Sequence, residues 1–473
     1  MRLLTWLHRW WGVLFAVLFA MWFASGIVMH LVPFPARSAD HFAALSPIDP
    51  GGVVHGPAEA IAKSGIVDVL RIRLVGRSDG PIYLISGPSA ARALRASDLG
   101  DGKVGSERVA QEIAIAYARA CGLDASHARV AGLIAFDQWT VSGEFDSDRP
   151  LYRLALDDGS GTELYVASTT GAVVLVTTLK ASALNYLGSI AHWLYPTVLR
   201  QHRLAWSALM WWLSLVATIG GSLGVIIGLL RLSAAGRRAA PAYRGLQAWH
   251  HRLGLAFAPF ILGWIFSGFL SMADGGSSSS SRADARSLAG APAWDRPQLD
   301  QPNQVSAASR EIEWFALAGK IYRRERVGLE EQRLSLAVPE TGAASSPRAF
   351  LRAEEIDPAA KQLSDDCGHV STVGADNPDG AKPALRDAPV FRIVCGNIWY
   401  EIDGSTGALL NRLDPSHRTY RWLFSRLHTL DFPALQSRPL LRTTVIVALC
   451  LCGLAFSLSG VVLAWRRLRA SVG

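Results

Sequence analysis

The sequence lacks two of the commonest signatures of soluble enzymes. It contains no Walker loop for cradling nucleotide phosphates and no His-Glu-x-x-His pair for binding catalytic zinc. Each motif supplies a fixed geometry that its chemistry needs, namely backbone N–H groups around phosphates or two imidazoles on one helical face. Their absence argues against an ATPase and against a zinc protease of that kind.

Cysteine is also scarce, with five in 473 residues, and none of the five has the spacing of a metal motif. Cys450 and Cys452 lie in an apolar run, where small soft side chains serve packing. Cys367 and Cys395 share a polar segment and could form a disulfide if that segment lies outside the cytoplasm, which the sequence leaves open. Cys121 would then be unpaired.

Hydrophobic residues, in contrast, are abundant. They make up 50% of the chain, and the mean hydropathy is +0.21, which is too apolar for an ordinary soluble protein. Crossing a hydrocarbon core of about 30 Å takes about 20 residues of helix. Four apolar runs reach that length, at 10–32, 204–230, 253–272 and 441–465. The first is too long for a signal peptide and is interpreted as an uncleaved helix.

The distribution of charge predicts how these spans are oriented. The stretch 231–252 has five arginines and no acidic residue, and arginines also flank both termini. By the positive-inside rule, these three segments are cytoplasmic. The net charge of +8 is therefore a topology signal, and a nucleic-acid partner is not expected. We predict a multi-pass protein of the bacterial inner membrane with both termini in the cytoplasm.

The predicted fold is membrane α-helical, with four transmembrane helices in two duplicated halves and two outer α+β domains. The outer domains should contain a helix at 106–121 and hairpins at 151–166 and 389–402, whereas 275–281 is predicted to be a flexible linker and 282–304 irregular. The expected segments are helix 1–34, outer domain with interfacial segment 35–203, helix 204–231, cytoplasmic loop 232–250, helix 251–273, second outer domain 274–440, helix 441–465 and tail 466–473.

The duplication is visible in the spacing of histidines. His8 and His250 each precede a glycine by four residues and a Ser-Gly pair by 17, and His192 and His428 each follow a Thr-Gly pair by 21. A duplicated membrane protein with paired histidines is suited to hold haem between two axial imidazoles. His8 and His250 would serve an inner haem, and His192 and His428 an outer one.

Other interpretations of these histidines stay open. His8 and His250 could cap helices at the lipid interface beside a glycine packing face. His192 and His428 could be interfacial histidines in an aromatic belt. His30 and His202 lie near the outer face without repeating, and each could replace an outer ligand, line an exit path or simply lie at the surface.

The motif Leu-His-Arg-Trp-Trp-Gly at 7–12, the Ser-Gly pair at 25–26 and the strand–turn–strand at 150–176 together resemble PepSY-associated transmembrane proteins. The resemblance covers both halves and is weakest over 274–385. This family includes iron-regulated inner-membrane proteins and siderophore-iron reductases. The resemblance implies two b haems, PepSY-like outer domains, lipid around the helices and a ferric siderophore or other ferric chelate as electron acceptor.

The same resemblance implies that the chain is a haem-dependent ferric-siderophore reductase whose electrons come from quinol or from a separate reductase. A rival hypothesis belongs to another class of function. In it, the chain is a non-catalytic membrane protein whose PepSY domains bind or regulate a peptidase or transporter. Haem content discriminates between the two, because the rival needs none.

Overall fold

The structure is a computed structural model of the whole chain. It describes residues 1–37, 45–88, 90–238, 243–272, 278–300, 305–306, 308–327, 331–338, 346–373 and 387–472. The chain divides into two compact units. A helical unit comprises Met1–Phe34, Ala181–Gly275 and His417–Gly473, and a sheet unit comprises Pro35–Lys180 and Gly276–Ser416.

The α-helices are, in chain order, α1 Arg2–Leu31, α2 Pro57–Ser64, α3 Glu107–Ala120, α4 Leu179–Asn185, α5 Thr197–Arg200, α6 Arg203–Arg238, α7 Gly245–Ala256, α8 Ala258–Ser271, α9 Ser278–Ala289, α10 Ala353–Leu363, α11 Pro415–Leu423, α12 Pro433–Gln436 and α13 Pro439–Val472. The strands are β1 Arg71–Val75, β2 Ile82–Ser86, β3 Ala91–Arg95, β4 Arg129–Ile134, β5 Leu151–Ala155, β6 Glu163–Ala167, β7 Val173–Thr177, β8 Glu311–Leu317, β9 Lys320–Arg326, β10 Gln332–Leu336, β11 Ser371–Val373, β12 Val390–Cys395, β13 Ile398–Asp403 and β14 Leu409–Leu413.

Helices long and apolar enough to cross a membrane are confirmed. The described residues contain three, α1, α6 and α13, and a fourth if α7 and α8 together form one span. The third span was expected to be a single helix at 251–273, but α7 and α8 are bent by 66° at Phe257. Pro259 lies in the first turn of α8, where its missing N–H and fixed φ favour a helix start rather than helix continuation.

The segment boundaries also differ from the expected ones. The loop predicted at 232–250 is much shorter, because α6 continues to Arg238 and α7 begins at Gly245. His250 therefore lies inside a helix. The interfacial segment at 181–203, which was expected to belong with the first outer domain, clusters with the helical unit. Residues 417–440 do the same, so each outer histidine is part of the bundle.

Within the helical unit, α1 packs along α13, and α6 packs against α8. The bundle interior contains two apolar clusters, one around Phe23, Ile261 and Ile446 and the other around Phe15 and Phe19. Leucines such as Leu14 and Leu204 point outward. Apolar side chains on both the inside and the outside of a bundle are expected when the surrounding medium is lipid.

The sheet unit corrects the expectation of two separate outer domains. One antiparallel six-stranded sheet has the order β10-β9-β8-β1-β2-β3, so strands from both halves of the chain share it. β1 and β8 pair at its centre, with Ile72 opposite Trp314. Each half also has its own four-stranded antiparallel meander, β4-β5-β6-β7 or β11-β12-β13-β14. The duplication is thus visible in the unit, and the central sheet joins the two halves.

Other local predictions have mixed outcomes. The helix at 106–121 is present as α3, capped by the Ser106 hydroxyl, and both hairpins are present. The linker at 275–281 and the irregular stretch after it are wrong in part, because α9 occupies Ser278–Ala289. Its serines precede Ala, Leu and Arg, which are good helix formers, and residues 275–277 lie outside the described ranges. Cys367 and Cys395 form a disulfide.

Candidate functional site

The structure brings His192 and His428 together, although they lie in different halves of the sequence. Their ring centroids are 6.2 Å apart and the ring planes are nearly perpendicular, at 78°. The two histidines come from equivalent places in the two halves, each after a short helix of the helical unit. The duplicated spacing therefore corresponds to a pseudo-symmetric pair in space.

Each of these histidines ends a distorted helix. A π-helical turn, Tyr186–Ile190, lies just before His192, and another, Phe424–His428, ends at the second histidine. Single π turns are frequent at functional sites because they rotate the following side chains out of the regular register. Leu194 and Leu430, two residues after each histidine, then adopt positive φ values of 46° and 52°. The chain turns sharply there.

Tryptophans of α1 and α8 fix the backbone at this turn. Trp22 Nε1 donates to the carbonyl of His192 at 3.0 Å, and Trp264 Nε1 donates to the carbonyl of His428 at 2.9 Å. Helix ends leave carbonyls without partners, which is costly away from water. Trp22 and Trp264 therefore satisfy the carbonyls of the two outer histidines.

A serine lies beside Nδ1 of each outer histidine. Ser267 Oγ is 3.1 Å from Nδ1 of His428 and 2.6 Å from the Gly263 carbonyl, and when its one proton goes to that carbonyl it accepts from Nδ1. Nδ1 of His192 lies 3.1 Å from Ser25 Oγ and 3.2 Å from the Trp22 carbonyl, which can only accept. Nε2 of each imidazole is thereby left with a lone pair, the form that binds a metal.

The glycine beside each serine faces the same imidazole. A Cβ at Gly26 would lie 3.6 Å from Cε1 of His192, and one at Gly268 would lie 3.7 Å from Cε1 of His428. An alanine would therefore make only ordinary van der Waals contact with the ring at either position. The repeated Ser-Gly pair, noticed in the sequence only as a repeat, places a hydroxyl and a glycine beside each imidazole.

The second pair, His8 and His250, lines one cavity of about 560 Å³ in the helical unit. His250 resembles the outer pair, because its Nδ1 lies 2.8 Å from Ser459 Oγ, whose proton goes to the Phe456 carbonyl. His8 differs. Its buried Nδ1 makes no hydrogen bond with the described residues, although the ring lies near the backbone of Gly220.

Glycines from four helices shape this cavity. A Cβ at Gly224 would lie 2.6 Å from Cε1 of His8, and one at Gly460 would lie 3.4 Å from Cε1 of His250. Gly12 faces open space, with no atom within 4 Å of its absent Cβ. The repeated spacing after the inner histidines identified Gly12 and Gly254 but not Gly224. Gly224 and Gly460 nevertheless have the same separation in the sequence as His192 and His428.

The cavity is also lined by cationic side chains, namely Arg9, Arg244, Arg466 and Arg467. These belong to the arginine-rich segments from which the orientation of the chain was predicted. His251, the neighbour of His250, donates from Nε2 to the Gly228 carbonyl at 2.9 Å, so it serves helix packing.

The two non-repeating histidines lie differently. Nε2 of His30 is 3.0 Å from Thr443 Oγ1, between α1 and α13, and His202 is exposed at the start of α6. The His30–Thr443 contact joins two helices and does not involve His192 or His428. Among the described residues, no three His, Cys, Asp or Glu side chains form a group able to hold a bare metal ion. A haem with two axial imidazoles does not require such a group.

Two short stretches match enzyme motifs by letters alone. Residues 100–105 fit Gly-x-Gly-x-x-Gly, but they follow β3 of an antiparallel sheet and not a parallel βαβ unit. Residues 220–224 fit Gly-x-Ser-x-Gly, but they lie in the middle of α6 and not at a strand-to-helix turn. Neither has the context that the chemistry needs. No family model matches this chain, and no curated protein matches it.

Proposed function

We propose that this protein is a di-haem b-type electron-transfer protein of the bacterial inner membrane, with both termini cytoplasmic, that reduces ferric siderophores or other ferric chelates on the periplasmic side. The observation that carries the proposal is the His192–His428 pair, with 6.2 Å between the ring centroids and a serine hydroxyl 3.1 Å from each Nδ1 atom. The sheet unit would be PepSY-like and face the periplasm.

His192 and His428 would together hold the outer haem. Their rings lie close to each other, with 6.2 Å between the centroids, and imidazole in its neutral form is a common haem-iron ligand. Hydrogen bonds at Nδ1 orient such ligands and leave Nε2 for the metal. Ser25 and Ser267 supply this support here. Gly26 and Gly268, the residues that follow these serines, face the same two rings.

The inner cavity fits a haem in size and charge. Its volume lies within the range of about 300–1,000 Å³ that accommodates most cofactors and drug-sized ligands. His8 and His250 would be the axial ligands, and Nδ1 of His8 is a buried polar atom without a partner among the described residues. Arg9 and Arg467 could pair with the carboxylates of a haem, because guanidinium groups bind carboxylates through two hydrogen bonds.

Haem supplies a carrier that takes up and releases one electron at a time. The residues of this chain would hold one carrier near the cytoplasmic arginines and one near the outer histidines, within the lipid-embedded bundle. Quinol or a separate reductase would supply the electrons, and a ferric chelate would accept them. The rival hypothesis, a non-catalytic PepSY protein that binds a peptidase or transporter, requires no haem.

We expect the chemically reduced protein to be reoxidised rapidly when a ferric siderophore or ferric citrate is added without oxygen. The matched control is the gallium(III) complex of the same chelator, which has similar size and charge but cannot accept an electron. Stopped-flow absorbance of the haem measures the reaction. Haem that stays reduced with every ferric chelate tried would remove the iron-reductase assignment while leaving the haem assignment in place.

We expect Gly12→Leu to abolish binding of the inner haem alone, because the added side chain would enter the cavity beside His8, where no atom lies within 4 Å of the absent Cβ. The fold should survive, since an apolar side chain fills apolar space. The control is Val17→Leu, which enlarges a side chain on the outward face of the same helix. The measurement is the haem-to-protein ratio of each purified variant. An unchanged ratio in the Gly12 variant would contradict the proposed inner haem site.

A further inference from the structure

The backbone after each outer histidine needs hydrogen-bond donors. The helix ends at this point, so the carbonyls of residues 192–194 and 428–430 have lost their helical partners. Leu194 and Leu430 are also in the left-handed region, which disfavours a residue with a Cβ. Trp22 and Trp264 cap the carbonyls of His192 and His428 alike. The side chains that cap the residues after the histidines differ between the two halves.

In the first half the neighbours are aromatic. Trp206 Nε1, on α6, donates to the carbonyls of Trp193 and Leu194 at 3.2 and 3.1 Å. Its ring packs edge-on against Tyr195, with 5.6 Å between the centroids. The guanidinium of Arg200 lies over the Trp206 ring at 4.6 Å. One indole therefore caps the turn that follows His192.

In the second half an ion pair caps the first of the two equivalent carbonyls. Arg442, on α13, donates to the Thr429 carbonyl at 2.7 Å and pairs with Asp431 at 2.6 Å. Asp431 in turn accepts from the Thr429 hydroxyl at 2.5 Å. In the register that aligns His192 with His428, Arg442 takes the place of Trp206, and Asp431 takes the place of Tyr195.

The chemistry of Asp431 sets it apart. Within the described part of the helical unit it is the one carboxylate side chain, against many arginines. A charged pair in a membrane bundle costs free energy unless its partners are well placed. Asp431 has them, because it binds Arg442 and also the residue that directly follows His428.

We propose that Asp431 and Arg442 are positioning residues for His428, and that the Tyr195–Trp206 pair does the same work for His192. This inference rests on the proposed function in one respect, that the two histidines are axial ligands of an outer haem. The two ligands are then positioned by different contacts, the Asp431–Arg442 ion pair for one and the Tyr195–Trp206 aromatic pair for the other. Only the ion pair can be broken by removing a charge.

The first test uses the absorption and electron paramagnetic resonance spectra of the purified protein. In Asp431→Ala and in the milder Arg442→Lys, the outer haem should change from low-spin to high-spin as His428 leaves the iron, while the inner haem stays low-spin. The double variant Asp431→Tyr with Arg442→Trp, which installs the first half's pair, should restore the low-spin signal. The control is Arg438→Ala, an exposed arginine one turn earlier.

The second test does not depend on haem. Hydrogen–deuterium exchange of peptides covering 424–432 should accelerate roughly tenfold or more in Asp431→Ala, and it should return toward the wild-type rate in the double variant. A protein without haem would contradict the proposed function. The exchange result would still test whether Asp431 and Arg442 order the segment around His428. Unchanged exchange in both single variants, or a double variant no better than Asp431→Ala, overturns the inference.

Discussion

Replacement of His192 or His428 by alanine is expected to remove the outer haem and leave the inner one. Each ring has a serine hydroxyl at Nδ1 and the two rings lie 6.2 Å apart, so removing either imidazole takes away one of the two ligands of the proposed outer site. The same change at His8 or His250 should remove the inner haem. The purified protein should therefore lose about half of its haem in each case, as two bis-histidine sites require.

The measurement is the ratio of haem to protein, with reduced spectra to identify which haem remains. His202→Ala is the control, because this histidine is exposed and has no repeated counterpart. It should keep both haems. A colourless and fully folded preparation from haem-replete cells would contradict the whole assignment and favour the non-catalytic rival.

The second large effect is expected in the sheet unit, at Glu313. This carboxylate is fully buried on β8 and pairs with Arg324 and Arg71, the latter at 2.5 Å. Removing one member of a buried charge cluster leaves the others unpaired, which costs about 3–5 kcal/mol. Glu313→Ala should therefore lower the free energy of unfolding of this unit by about that amount.

The control for this prediction is Glu331→Gln, since that carboxylate is exposed and its pair with Arg333 should contribute less than about 1 kcal/mol. Urea unfolding, with hydrogen exchange of peptides from 311–326 as the local measurement, distinguishes the two variants. Equal stability of both variants would show that the charge cluster contributes nothing beyond packing.

The same cluster gives an expected acid dependence. Burial by itself would raise the pKa of Glu313, but the charges of Arg324, Arg71 and Arg73 outweigh it and lower the pKa to about 2. A carboxyl whose pKa is lower in the folded state stabilises the protein above its ordinary value of 4.5, and that contribution disappears as the pH falls toward about 2. Glu313→Gln should flatten the loss of stability in this window.

Much of the helical unit followed from the sequence. Hydrophobicity and positive charge act nearly independently at each position, so apolar runs of sufficient length and flanking arginines predict helices without knowledge of their neighbours. The duplication added a second level of inference. Because repeated halves fold alike, equal spacing in the sequence predicted that His192 and His428 occupy equivalent places, which they do.

The sequence could not show what each histidine contacts. Ser25 and Ser267 lie far along the chain from the rings they hold, and Gly224 is equally remote from His8. The replacement of the Tyr195–Trp206 pair by Asp431 and Arg442 carries no signal in the sequence, where the residues simply differ. It gains meaning only when both pairs are seen to cap equivalent carbonyls.

Tertiary structure alone also decided how the halves combine. Alternating apolar and polar residues, separated by turn residues, predicted the hairpins. They did not predict that β1 of the first half pairs with β8 of the second to form one sheet. Strand pattern is a local property, whereas the partner of an edge strand depends on which other edge is free and close in the folded chain. The buried carboxylate of Glu313 follows from that pairing, because it is stabilised only when separate chain segments bring their arginines around it.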